Sequence, residues 1–165
     1  MSIGRESPAS IGLDFTLNGR PCRTEAPPHW TVLDLLRDGV HLTGTKYGCG
    51  EGVCGTCTVL LDGETIRACL VLAARLRGRS LVTVEGLEND GALDPLQTAF
   101  ASAGAAQCGF CTPGMLLAAK ALLAVNRAPS AQEVREALAG NLCRCTGYVK
   151  IIEAVLAAAP GERGA

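Results

Sequence analysis

Four cysteines, Cys49, Cys54, Cys57 and Cys69, stand at C-x4-C-x2-C-x11-C spacing, and the first three share the short stretch Cys49-Gly-Glu-Gly-Val-Cys54-Gly-Thr-Cys57. Nothing else in the chain restricts its folding as much. Three soft ligands in so tight a loop oblige the backbone to wrap one centre, and this is the plant-type ligand spacing for a [2Fe-2S] cluster. Zinc ribbons instead pair C-x2-4-C with a similar second pair, so the loop argues for iron and sulfide over zinc. Gly48, Gly50, Gly52 and Gly55 supply the positive-φ conformations and close approaches that let amide N–H groups point at sulfur.

A second set follows, Cys108 and Cys111 as C-x2-C with Cys143 and Cys145 as C-x-C. On spacing alone it suits either a second [2Fe-2S] cluster or a zinc site. The two sets absorb eight of nine cysteines, an odd total that does not read as a disulfide framework. The N-terminal residues show neither an apolar signal core nor twin arginines, so a cytoplasmic location and metal ligation are expected. Cys22, the ninth, reads as a small half-buried hydrophobe. His29 and His41 stand apart from any nucleophile or carboxylate pattern and read as surface residues, while Phe15 and Trp30 read as core or interface. No residue is assigned a catalytic role.

Fifteen basic and sixteen acidic residues are mixed along the chain and leave a net charge of −1. That gives no footprint for nucleic acid or an anionic membrane surface. The apolar content of 48% is spread over stretches shorter than the roughly 20 residues a membrane span needs. A near-neutral, apolar electron carrier is suited to permanent burial in an assembly.

The local patterns divide the chain. Residues 11–17 alternate ahead of Asn18-Gly19, a type I′ hairpin turn. Thr31 with Asp34 caps a short amphipathic helix over residues 31–38 that Gly39 ends. Residues 58–61 form a strand that turns at Asp62-Gly63 and returns through Ile66, and residues 81–84 form another. Strands, one helix and a metal loop make a small α+β domain over residues 10–86. A polar stretch from Leu87 serves as linker, after which residues 92–159 read as helical. Asp94-Pro95 and Thr112-Pro113 start two helices, Ser130 with Glu133 caps a third, and a fourth runs from about Tyr148 to Pro160. Four short helices suggest a bundle with both cysteine pairs at one end.

Three segments carry a resemblance: Gly44-Thr45-Lys46-Tyr47-Gly48-Cys49-Gly50-Glu51-Gly52-Val53-Cys54-Gly55-Thr56-Cys57-Thr58-Val59, Gln107-Cys108-Gly109-Phe110-Cys111-Thr112-Pro113-Gly114, and Asn141-Leu142-Cys143-Arg144-Cys145-Thr146-Gly147-Tyr148. Together they resemble the iron–sulfur subunit of molybdenum hydroxylases, the xanthine dehydrogenase and aldehyde oxidase family, from about Leu13 to Ala159. The resemblance implies an N-terminal β-grasp ferredoxin-like [2Fe-2S] domain and an all-α four-helix-bundle [2Fe-2S] domain. It also implies a large partner subunit with molybdopterin, often as the cytosine dinucleotide, and a medium subunit with FAD, in a heterotrimer or a dimer of heterotrimers. By the same resemblance all eight cysteines ligate iron, Gln107 and Cys145 contact the pterin, and electrons pass from molybdenum through the C-terminal and then the N-terminal cluster to FAD. Arg144, between two ligands, would raise the potential of the nearby cluster by its charge.

The leading expectation is therefore an electron-transfer subunit of a complex oxidising an aldehyde, purine or N-heteroaromatic substrate. The alternatives are the same subunit of a reductive member such as 4-hydroxybenzoyl-CoA reductase, or of carbon monoxide dehydrogenase, whose first-cluster loop tends to be less glycine-rich than Cys49 to Cys57. From other classes, a free-standing ferredoxin-like carrier predicts a stable monomer, and a zinc-stabilised interaction module predicts a colourless protein.

Overall fold

The computed structural model describes residues 9–161. Strands β1 (Ile11–Leu17) and β2 (Arg20–Ala26) form the antiparallel hairpin expected around Asn18-Gly19, whose φ values of 51° and 77° are those of a type I′ turn. Strand β3 (Thr58–Leu61) pairs with β4 (Glu64–Arg67) through the same kind of turn at Asp62-Gly63. Strand β5 (Ser80–Val82) lies between the two hairpins, parallel to β1 and antiparallel to β3, giving one sheet of order β2-β1-β5-β3-β4.

One face of this sheet is covered by the segment after Thr31. Thr31 and Asp34 form a reciprocal capping box at α1 (Val32–Asp34), which satisfies two amides that a helix start leaves unpaired. The expected helix then widens into a π turn over Leu35–Gly39, with the Val40 amide donating to the Leu35 carbonyl. The reason is burial: Val32, Leu33, Leu35 and Leu36 are all enclosed, with Leu13, Phe15, Val59, Leu76 and Leu81 in the same core. Four apolar residues in five cover more than one α-helical stripe, and the wider turn keeps both leucines inside.

The remaining α-helices are α2 (Pro95–Ser102), α3 (Thr112–Val125), α4 (Ala131–Leu138) and α5 (Val149–Ala158). Asp94 with Gln97 and Ser130 with Glu133 close capping boxes at α2 and α4. At α3 the helix begins at Thr112, with Cys111 already in helical conformation before it. Tyr148 precedes α5 in the left-handed region at φ 67°, an uncommon conformation for a bulky residue. Its hydroxyl accepts the Cys143 amide at 2.9 Å, which holds the turn in place. Helices α2 and α5 pack together, and α3 lies against β3, so the helical half is docked on the sheet. Among the described residues, no helix is long and apolar enough to cross a membrane.

Candidate metal centres

All nine cysteines are free thiols, and eight of them lie in two groups made of close pairs. In the first group, the Cys57 and Cys69 sulfurs are 3.4 Å apart and the Cys49 side chain contacts that of Cys54. In the second, the Cys145 and Cys108 sulfurs are 3.6 Å apart and the Cys111 side chain contacts that of Cys143. A tetrahedral metal with sulfur bonds of about 2.3 Å spaces its ligands about 3.8 Å apart. Two pairs per group therefore suit two tetrahedral irons per group, and the donor sets fit [2Fe-2S] clusters.

The loop around Cys49 is shaped for this. The amides of Glu51 and Cys54 donate to the Cys49 sulfur at 3.4 and 3.5 Å and hold its thiol down to about 6. Gly48 is needed for space, because a Cβ there would lie 2.7 Å from the Thr56 methyl and 2.9 Å from the Cys54 sulfur. Cys57 is the enclosed member, and burial pushes its thiol up to about 11.

The second group is graded in the same way. Burial pushes Cys111 up to about 12. At Cys143 burial opposes ionisation, but hydrogen bonds outweigh it, led by that from the Thr146 hydroxyl at 3.1 Å, and the thiol stays below its ordinary value. Cys145 is raised by its contact with Cys108. Cys108 and Cys145 are exposed, with Gln107 and Arg144 exposed beside them in sequence, while Cys111 and Cys143 face inward. Cys22 is half-buried on β2, and His29 and His41 are exposed. Phe15 is core and Trp30 packs against it.

Between the groups runs a seam of hydrogen bonds. The Leu142 amide donates to the Cys54 carbonyl at 2.9 Å. Asn141, 2% exposed, donates from Nδ2 to the Gly55 carbonyl at 2.9 Å and to the Thr58 hydroxyl at 3.1 Å. Arg67 reaches from β4 to the Thr58 hydroxyl at 2.8 Å and to the Gly140 carbonyl at 2.9 Å. The Thr56 hydroxyl donates to the Phe110 carbonyl at 2.8 Å. Gly55, at φ 71°, touches this seam so closely that a Cβ would overlap the Gly140 carbonyl. The roles of Asn141, Arg67 and Thr58 do not emerge from motif spacing. Their partners lie on the other half of the chain, and the only local hint is a polar Asn141 beside a ligand pair.

Apolar side chains ring the first group. Tyr47, Val53, Leu70, Phe110 and Leu142 are all exposed, and Tyr47, Leu70 and Phe110 stand within 4 Å of where Cβ atoms would sit on Gly50, Gly52 and Gly48. Exposed apolar side chains grouped near one centre are a feature of partner-binding surfaces.

Comparison with known proteins agrees with this geometry. Residues 15–81 match the family described as 2Fe-2S iron-sulfur cluster binding domain, and residues 83–156 match the [2Fe-2S] binding domain family. The chain is 53% identical over 154 residues to the nicotine 6-hydroxylase small subunit of Paenarthrobacter nicotinovorans, covering 93% of this chain and 92% of that one. It is 46% identical over 149 residues to the xanthine dehydrogenase iron-sulfur-binding subunit of Escherichia coli O157:H7, covering 89% and 93%. Among solved structures, quinoline 2-oxidoreductase from Pseudomonas putida 86 superposes with a TM-score of 0.89 at 50% identity, covering 91% of this chain and 94% of that one. With two cluster-binding folds matched end to end and relatives aligned over almost their full length, the chain belongs to the family of iron–sulfur small subunits of molybdenum hydroxylases.

Proposed function

We propose that this chain is the electron-transfer subunit of a multi-subunit molybdenum hydroxylase, carrying two [2Fe-2S] clusters and no substrate site of its own. Cys49, Cys54, Cys57 and Cys69 would hold one cluster, and Cys108, Cys111, Cys143 and Cys145 the other. The clusters supply one-electron carriers between a molybdopterin site and FAD on partner subunits. The observation that carries the reading is the pairing of sulfurs in two groups joined by the Leu142-to-Cys54 hydrogen bond.

The chain's own residues do three things. Backbone amides and the Thr146 hydroxyl stabilise sulfur charge and so tune potential. The glycine loop admits the cluster while the apolar rim of Tyr47, Val53 and Leu70 offers a surface for the flavin partner. Gln107 and Cys145, both exposed, would meet the pterin of the large partner. In this reading residues 10–86 are a β-grasp ferredoxin-like domain and residues 92–159 a four-helix-bundle domain. The assembly would be a cytoplasmic heterotrimer or a dimer of heterotrimers.

The substrate class favoured is N-heteroaromatic, since two relatives at 50% identity or above are named for nicotine and quinoline. Co-purification tests the whole reading. A large molybdopterin-binding chain and a flavin-binding chain should accompany this one, and a nitrogen heterocycle should bleach the visible iron–sulfur absorption anaerobically. A stable, colourless monomer would refute it.

A further inference from the structure

We propose that Asn141 is a positioning residue for electron transfer between the two centres, holding the Leu142 amide against the Cys54 carbonyl. The proposal rests on the assignment of Cys54 and Cys143 as cluster ligands. On that assignment the link is short: Cys54 contributes its own carbonyl, and the donor is the amide of the residue next to Cys143.

Two successive contacts make this junction. Leu142 N–H meets the Cys54 carbonyl, and one residue back from Leu142 and one residue on from Cys54 the Asn141 side chain meets the Gly55 carbonyl. The second fixes the first, because both pairs are adjacent along their chains. Asn141 is itself held from three sides. Its amide donates to the Leu138 carbonyl at 2.9 Å, its carbonyl accepts the Tyr148 hydroxyl at 3.4 Å, and Arg67 anchors the preceding Gly140 carbonyl. Gly55 and Gly114 have no side chains to wedge the seam apart.

The chemistry selects asparagine. Both of its partners are occupied as acceptors: the Thr58 hydroxyl gives its proton to the Gly55 carbonyl at 2.6 Å, so what remains at both is lone-pair density. A side chain here must donate twice from one nitrogen, as an amide does and an ionised carboxylate cannot. Asn141→Asp keeps the volume and shape but sets an acceptor against two acceptors. Burying a carboxylate against two acceptors shifts the closed seam toward open forms by about tenfold or more.

The test uses the purified complex, reduced with dithionite and read by low-temperature electron paramagnetic resonance, with iron content measured in parallel. In the unaltered complex two reduced-cluster signals should appear and split one another. If two signals do not appear, the cluster assignment fails and the proposal with it, and two signals without splitting overturn the proposal. In Asn141→Asp the proposal expects full iron, unchanged g values for each centre, a collapsed or broadened mutual splitting, and equilibration between centres slowed about tenfold or more. Full iron with an unchanged splitting would overturn it. So would loss of one cluster while the remaining doubly loaded fraction keeps its splitting, since that marks a merely structural role. Should Asn141→Asp retain no iron, Thr58→Val, which removes one of the two acceptors, is read the same way: a weakened splitting supports the proposal and an unchanged one overturns it.

Discussion

The Leu142 amide donates to the Cys54 carbonyl at 2.9 Å, across a seam between segments far apart in sequence. This one bond joins the loop of the first thiol group to the loop of the second. With the contacts of Asn141, Arg67 and Thr56 beside it, it joins the two groups through direct backbone and side-chain bonds. Fixed geometry is what a relay needs, since nothing has to move for an electron to pass.

Replacing one cysteine from each group should separate the two centres. Cys111→Ser removes a half-buried member of the second group and should halve the iron while abolishing reduction of the first centre by substrate. Cys54→Ser should also halve the iron but leave the second centre reducible. Iron analysis with substrate-driven spectra of the assembled complex checks both.

Gly55→Ala should be among the most damaging small substitutions. Its φ of 71° disfavours any side chain, and a Cβ would overlap the Gly140 carbonyl. Strain and displaced packing together should cost about 2–4 kcal/mol, read as a fall in melting temperature and loss of mutual splitting between the centres. Gly63→Ala, also at positive φ but with open space around it, should cost about 1 kcal/mol.

Cluster loading should improve as pH rises. Burial holds the Cys57 and Cys111 thiols up to about 11 and about 12, so both are protonated at neutral pH in the unloaded chain. Iron must displace those protons, and each proton released strengthens binding by up to about tenfold per pH unit. Reconstitution of the metal-free chain between pH 6.5 and 8.5, roughly the range below these values, should show iron uptake rising with pH. Uptake independent of pH would contradict the burial argument.

Helix caps supply a contrast that leaves the centres intact. Asp94 accepts the Leu96 amide at 2.9 Å and pairs with Lys120. Asp94→Ala should lower stability by about 1–2 kcal/mol with unchanged cluster spectra, measured by thermal unfolding of the loaded chain.

What could be read from the sequence was local. The Cys49 to Cys69 spacing, the turns at Asn18-Gly19 and Asp62-Gly63, and the caps at Thr31, Asp94 and Ser130 are each specified within a stretch of 21 residues or fewer, because loop, turn and cap geometry depend on near neighbours. The π turn after Asp34 escaped because its cause is the core that encloses Leu35 and Leu36. The seam escaped for the same kind of reason. Asn141 meets Gly55 across 86 residues and Arg67 meets Gly140 across 73, and no periodicity or spacing announces a contact of that range.

The central claim is that this chain holds two [2Fe-2S] centres fixed on one path between its partners. Low-temperature electron paramagnetic resonance of the purified complex, frozen at successive times after anaerobic addition of substrate, tests it most directly. Two distinguishable reduced-cluster signals of equal final intensity should grow in together with reduction of the flavin. A single signal, or two signals that dithionite produces and substrate does not, would contradict it.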